Sequence, residues 1–143
     1  FPLENEMFYA VSGQGAFCND KIISVSDNFE LSKSVVMYDN QFHLDQHSFR
    51  RYESITNAAF TTRIFGTATK DLCLIASGTV DARIWNRTKL VDLAAGSVIL
   101  RESGGEITDF GGKDPELDFR QVVASNGHIH KEILQEINII ENT

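Results

Sequence analysis

Apolar residues recur along this chain in two rhythms, one of period two and one of period three to four, and the two alternate from end to end. Glu6 to Ser12 (EMFYAVS) is aromatic and β-prone and predicts a strand, followed by a turn at Gly13-Gln14-Gly15. Ala16 to Cys18 and Lys21 to Val25 predict the arms of a hairpin, with Asn19-Asp20 as its turn. Leu31 to Tyr38 predicts a strand around Ser34-Val35-Val36-Met37. From Gln46 to Phe60 the rhythm becomes helical, with Phe49, Tyr52, Ile55 and Ala59 on one stripe. Thr62 to Phe65 predicts a short strand ending at Gly66. A helix over Thr67 to Ala76 follows, its apolar face being Ala68, Leu72, Ile75 and Ala76 and its stop Gly78. Thr79 to Trp85 alternates and predicts a strand with one buried face.

Asp92 is expected to open an apolar helix that buries Ala95, Val98, Ile99 and the neighbours of Glu102 and stops at Gly104-Gly105. Strands are expected at Glu106 to Phe110 and Gln121 to Ser125, joined by the loop Gly111 to Asp118. A closing helix over His128 to Ile140 carries the stripe Ile129, Ile133, Ile137 and Ile140. Strands alternating with helices indicate a layered α/β (α+β) sandwich, a mixed sheet flanked by helices. No repeat or Pro/Gly-rich linker interrupts the pattern, so residues 1–143 are expected to form a single unit.

Composition narrows the function classes. With 13 basic against 20 acidic residues the net charge is −7, which argues against a nucleic-acid binder, since such proteins need a basic face to displace counterions. Cys18 and Cys73 stand far apart in apolar sequence and are expected as buried free thiols. No apolar run is long enough to cross a bilayer. The start at Phe1 has neither the basic residues nor the apolar segment of a signal peptide, so a cytoplasmic location is expected.

Few residues suggest chemistry on local grounds. Asp92 at a helix start reads as a cap that complements the helix dipole, or as a rigidly held oxygen ligand for Mg²⁺. Gly66-Thr67-Ala68 reads as a tight strand-to-helix turn, or as bare N–H groups offered to an anion. His43, His47, His128 and His130 have no metal-ligand spacing and are expected in surface or capping roles. Walker, GxGxxG, nucleophile-elbow and paired-cysteine zinc patterns are absent from the sequence.

Together these segments resemble the inositol monophosphatase family. Val91-Asp92-Leu93-Ala94-Ala95-Gly96-Ser97-Val98-Ile99-Leu100 with Arg101-Glu102-Ser103-Gly104-Gly105 is similar to the family's C-terminal signature at every restricted position. Glu6-Met7-Phe8-Tyr9-Ala10 with Gly13 to Asn19 resembles its central hairpin. Gly66 to Cys73 resembles the turn and helix before the signature, and Val122 to Asn126 the final strand. The resemblance implies Mg²⁺-dependent hydrolysis of small phosphorylated metabolites, the metal polarising the phosphate and acidifying the attacking water. It also implies that Asp92 is a metal ligand facing the substrate and that Gly66, Thr67 and Ala68 line the substrate pocket.

Two departures from the family pattern matter. Where many inositol phosphatases have a sugar-binding glutamate, seven residues before the metal aspartate, this chain has Trp85, which accepts no such hydrogen bonds. A fructose-1,6-bisphosphatase-like or 3′-phosphonucleotide phosphatase activity is therefore the alternative to inositol monophosphatase. Arg83 and Arg87 flank Trp85; they read as exposed strand-end charges or as groups facing a second phosphate. The family's metal-binding glutamate and Asp-Pro-x-Asp-Gly-Thr/Ser motif are also missing. Asp114-Pro115-Glu116-Leu117-Asp118 has one residue too many, with Phe119 in the glycine's place. The chain is accordingly expected to be the C-terminal half of the domain, without the metal-binding N-terminal half, inactive alone and prone to self-association or homodimer formation through apolar surface. A non-catalytic binding or regulatory module that keeps the fold is the reading from another class.

Overall fold

The computed structural model describes residues 1–44, 46–115 and 121–139. A three-stranded antiparallel sheet comes first, formed by β1 (Phe8–Val11), β2 (Gly15–Cys18) and β3 (Lys21–Ile23). Asn19 and Asp20 both have positive φ (47° and 63°), as a two-residue turn matched to strand twist requires. A five-stranded mixed sheet follows in the order β5-β4-β6-β8-β7. Its strands are β4 (Val35–Met37), β5 (Thr61–Arg63), β6 (Ala82–Trp85), β7 (Glu106–Asp109) and β8 (Val122–Ser125). β4 runs parallel to β5 and β6, whereas β8 is antiparallel to β6 and β7. The helices are α1 (Ser48–Ala58), α2 (Ala68–Ala76), α3 (Leu90–Glu102) and α4 (His130–Ile139).

The period-two rhythm of the strands sorts their side chains into two cores. Met37, Trp85, Val122 and Ala124 face α2 and α3, together with Ala16, Phe8 and Ile23 of the small sheet. Val36, Ala82, Ile84 and Val123 face the other way, against Ile55 of α1 and Ile129, Ile133 and Ile137 around α4. The layers therefore run small sheet, α2 and α3, large sheet, α1 and α4. This is the mixed, helix-flanked sandwich expected. The strand ending at Trp85 is the exception to its own pattern, because all four residues of β6 are buried. It is a central strand with a helix layer on each side, and both faces of such a strand are covered.

Several local expectations change. Leu31–Lys33 forms a 3-10 turn, so β4 begins only at Val35. Phe49 on α1 is exposed, and Ala59 follows the end of that helix. α3 buries Leu93, Gly96, Ile99 and Leu100, while Ala95 and Val98 are exposed. Gly96 turns the stripe: a Cβ there would lie 2.6 Å from Cδ1 of Leu72, so α2 and α3 touch where no side chain fits. Cys73 is buried and Cys18 half-buried, and both are free thiols. Ile140 and positions 116–118 of the Asp114 to Asp118 segment lie outside the described residues. No helix among the described residues is long and apolar enough to cross a membrane.

Glu102 ties the layers together at one end. Its carboxylate accepts the N–H of Gly13 (2.9 Å) and of Gly15 (3.0 Å), docking the β1–β2 turn on the last turn of α3. Those two N–H groups hold the Glu102 carboxyl below its usual range.

His130 is not the surface or capping residue expected. It is buried, with Nε2 2.8 Å from the Thr108 hydroxyl and Nδ1 2.8 Å from the Ser125 hydroxyl. Burial lowers its pKa to about 4. An unfolded histidine titrates near 6.5, so between these values the unfolded chain binds the extra proton and folding weakens as pH falls. The native state should hold its full stability above about pH 6.5 and lose on the order of 3 kcal/mol by about pH 4 from this residue. Urea midpoints at pH 7.5 and 4.5 measure this, with His130→Gln flattening the difference. An equal drop in both proteins would refute the assignment.

Candidate functional site

Three parallel strands, β4, β5 and β6, end on the same side of the large sheet, and the chain opens a cavity of about 380 Å³ there. Asp39, Asn40 and Gln41 follow β4, Ile64 and Gly66 follow β5, and Arg87 and Thr88 follow Trp85 at the end of β6. Ala68 and Thr69 from the first turn of α2 and Asp92 from that of α3 complete the wall. Crevices outside the carboxyl ends of parallel strands are where open α/β sheets hold ligands. Two helix N-termini also converge on it, favouring an anion between them.

Of the residues singled out in the sequence, Gly66, Ala68, Arg83, Trp85, Arg87 and Asp92 line this one cavity. Thr67 does not. It is the residue before α2, with φ −129° and ψ 102°, and its hydroxyl turns back to Oδ1 of Asp71 at 3.3 Å. Gly66 has φ +79°, a conformation that side chains rarely adopt, and that is its requirement, since a Cβ would meet nothing within 4 Å.

Asp92 does not open α3. The helix begins two residues earlier, at Leu90, and Asp92 sits inside the first turn with its N–H on the Lys89 carbonyl at 3.0 Å. Its exposed carboxylate makes no capping hydrogen bond and no ion pair among the described residues, so it is left facing the cavity. The backbone is secured separately, because the Thr69 hydroxyl donates to the Asp92 carbonyl at 3.2 Å and links α2 to α3 at the site.

The two arginines part company. Arg83 is 2% exposed, which corrects its reading as an exposed strand-end charge. Its Nε lies 3.3 Å from Oδ2 of Asp71, which is 0% exposed, and its Nη1 donates to the Tyr38 carbonyl. Its guanidinium sits over the Trp85 ring, 5.1 Å from the centroid. Burial raises the Asp71 carboxyl and lowers the Arg83 guanidinium, and each eases the shift of the other. Nε and Oδ2 face each other without an aligned hydrogen bond. Arg87 is exposed at the mouth of the cavity.

Asp71 and Asp39 are site residues that the sequence reading did not single out. Asp71 follows Ala68 by three positions and so lies on the buried stripe of α2, a polar residue in an apolar row, which is the one signal available. Asp39 accepts the Asn86 N–H (2.8 Å), the Asn86 side-chain amide (3.2 Å) and the Gln41 N–H (3.0 Å), joining the loops after β4 and β6. Only the fold brings those positions together.

The donor set fits part of a metal site. Mg²⁺ requires about six oxygens, often two of them carboxylate. Asp92 is the one free carboxylate on the wall, Asp39 being engaged, and no group of three or more His, Cys, Asp or Glu able to hold a metal occurs among the described residues.

Residues 1–142 match the inositol monophosphatase family. The fructose-1,6-bisphosphatase/inositol-1-monophosphatase of Thermotoga maritima is 34% identical over 137 residues, 96% of this chain and 52% of the relative. The Nus factor SuhB of Pasteurella multocida is 35% identical over 139 residues, 95% of this chain and 52% of that protein. Among solved structures, the inositol monophosphatase of Anabaena (Nostoc) superposes with a TM-score of 0.89 at 28% identity, covering 96% of this chain and 56% of the other. The chain thus spans about half the length of the relatives it matches. On its sequence and its fold, the chain belongs to the inositol monophosphatase family.

Proposed function

We propose that the protein at its native length hydrolyses a small phosphate monoester in the presence of Mg²⁺, and that this chain supplies the substrate cavity and one metal ligand. The observation that carries this is the free Asp92 carboxylate on a cavity shared with the Gly66 turn and two helix N-termini. A bound ion would polarise the phosphate and make water acidic enough to attack. This chain's own contribution is positional. Asp92 is rigid because its helix is clamped to α2 through Thr69 and Gly96. The first-turn N–H groups of α2 and α3 would meet phosphate oxygens. The remaining metal oxygens would come from the family's acidic motif, which these 143 residues do not contain, so the isolated chain is expected to be inactive.

Release of inorganic phosphate from a panel of sugar, polyol and nucleotide monophosphates, with Mg²⁺ and after chelation, tests the proposal. Turnover should appear with the ion and vanish without it. A native-length protein that carries the acidic motif and yet shows no Mg²⁺-dependent turnover would defeat it.

The relatives called Nus factor SuhB favour a second reading, a binding module that retains the fold. That reading predicts a stable complex with a macromolecular partner that persists in Asp92→Asn, whereas the enzymatic reading predicts loss of turnover in that variant.

A further inference from the structure

A threonine standing directly before a helix ordinarily turns its hydroxyl oxygen onto the first turn, where it accepts a backbone N–H. Thr67 stands in that place before α2, with the extended backbone such a cap needs, yet it makes no cap. Its hydroxyl donates instead to Oδ1 of Asp71 at 3.3 Å, one turn further along. Asp71 is 0% exposed, and a carboxylate buried to that degree is costly unless its charge is answered. Arg83 answers it from β6, with Nε 3.3 Å from Oδ2. That guanidinium is fixed on two further sides, by the Tyr38 carbonyl and by the Trp85 ring 5.1 Å away. Nε and Oδ2 still lack an aligned hydrogen bond. A buried pair of this quality contributes little net stability, and two apolar side chains in the same space would serve as well. What the pair does accomplish is to take the Thr67 hydroxyl out of use, beside a cavity lined by Ala68 and Thr69 of the same helix turn and by Arg83 itself.

We infer that Asp71 and Arg83 are positioning residues for the substrate: Arg83 fixes the Asp71 carboxylate, Asp71 draws the Thr67 hydroxyl off the helix end, and the first-turn N–H groups of α2 stay open to a substrate oxygen. Thr67 thus serves the site without touching the ligand. With an apolar residue in place of Asp71, the hydroxyl would swing onto the N–H of Thr69 or Lys70 and compete with that oxygen. The inference rests on the phosphomonoesterase reading of the same cavity, whereas the state of the helix end can be measured without turnover.

The native-length protein, with Mg²⁺ and whichever monophosphate of the panel it turns over fastest, gives the first test. The double variant Asp71→Leu with Arg83→Met should raise KM about tenfold and change kcat less, the loss of one hydrogen bond to a charged oxygen. Adding Thr67→Val, which suits an extended backbone but cannot cap, should recover most of that KM while lowering the melting midpoint. A pair with a structural role only would leave the triple variant no better than the double one. Amide hydrogen exchange reads the same switch without substrate. Exchange at Thr69 and Lys70 should slow about fivefold in the double variant and return to the wild-type rate in the triple. An unchanged KM in a folded double variant, or exchange that does not slow there, overturns the inference. If leucine overpacks the site and the double variant unfolds, Asp71→Ala with Arg83→Met is read by the same outcomes. Absence of turnover in every protein sinks the phosphatase reading alone, and the exchange rates then decide.

Discussion

Replacing Asp92 by asparagine should lower Mg²⁺-dependent turnover of the native-length protein about 100-fold or more while leaving its thermal midpoint nearly unchanged. Asparagine keeps the shape and one oxygen but removes the charge that binds a hard cation. Metal polarisation of a phosphoryl oxygen is worth several kcal/mol, and each 1.36 kcal/mol is a factor of ten in rate, hence the size of the loss. The stability half of the expectation follows from the structure. Asp92 is exposed and makes no side-chain cap, so it contributes only a dipole interaction of about 0.3–1 kcal/mol to α3. Steady-state phosphate release together with a melting curve reads both halves. A variant that kept full turnover would remove Asp92 from the metal site. One that lost turnover only by unfolding would make it a structural residue.

Arg83→Met should destabilise the native state by about 3–5 kcal/mol at pH 7, the cost of leaving one buried partner of an ion pair uncompensated. Asp71 is 0% exposed, and its other side-chain contact is the Thr67 hydroxyl. Without the guanidinium, its carboxyl would rise well above the unfolded value, so the folded state would take up a proton that the unfolded state does not. Stability of the variant should therefore recover as pH falls through that raised value, the reverse of the His130 trend. The double variant Asp71→Leu with Arg83→Met should regain much of the loss, because an apolar pair requires no desolvation of charge. Chemical denaturation at pH 7 and pH 5 measures all three proteins. A single variant within about 1 kcal/mol of wild type at pH 7 would mean that water or another group already compensates Asp71.

Much of the fold was legible in the chain because its signals are local. The hairpin at Asn19-Asp20, the buried Ile129, Ile133 and Ile137 and the Gly104 stop all follow from a few neighbouring residues. What misled was context. Ala95 and Val98 are apolar like Leu93 and Leu100, yet they are exposed, because α3 turns the side carrying Gly96 toward Leu72 of α2. Arg83 looks like a surface charge until the partner on α2 is known, and His130 looks like one until Thr108 and Ser125 close on its ring.

By itself the sequence determined the family, the alternation of strands and helices, and the candidates Gly66, Asp92 and Arg87, because motif, periodicity and backbone need are properties of short stretches. The tertiary structure alone decided that the ends of β4, β5 and β6 form one cavity. It also decided that Asp39 and Arg83 are already engaged and that Asp92 and Arg87 are left facing the space between. Which charges remain free is a matter of pairing between segments far apart in the chain, and that pairing is set by how the layers pack.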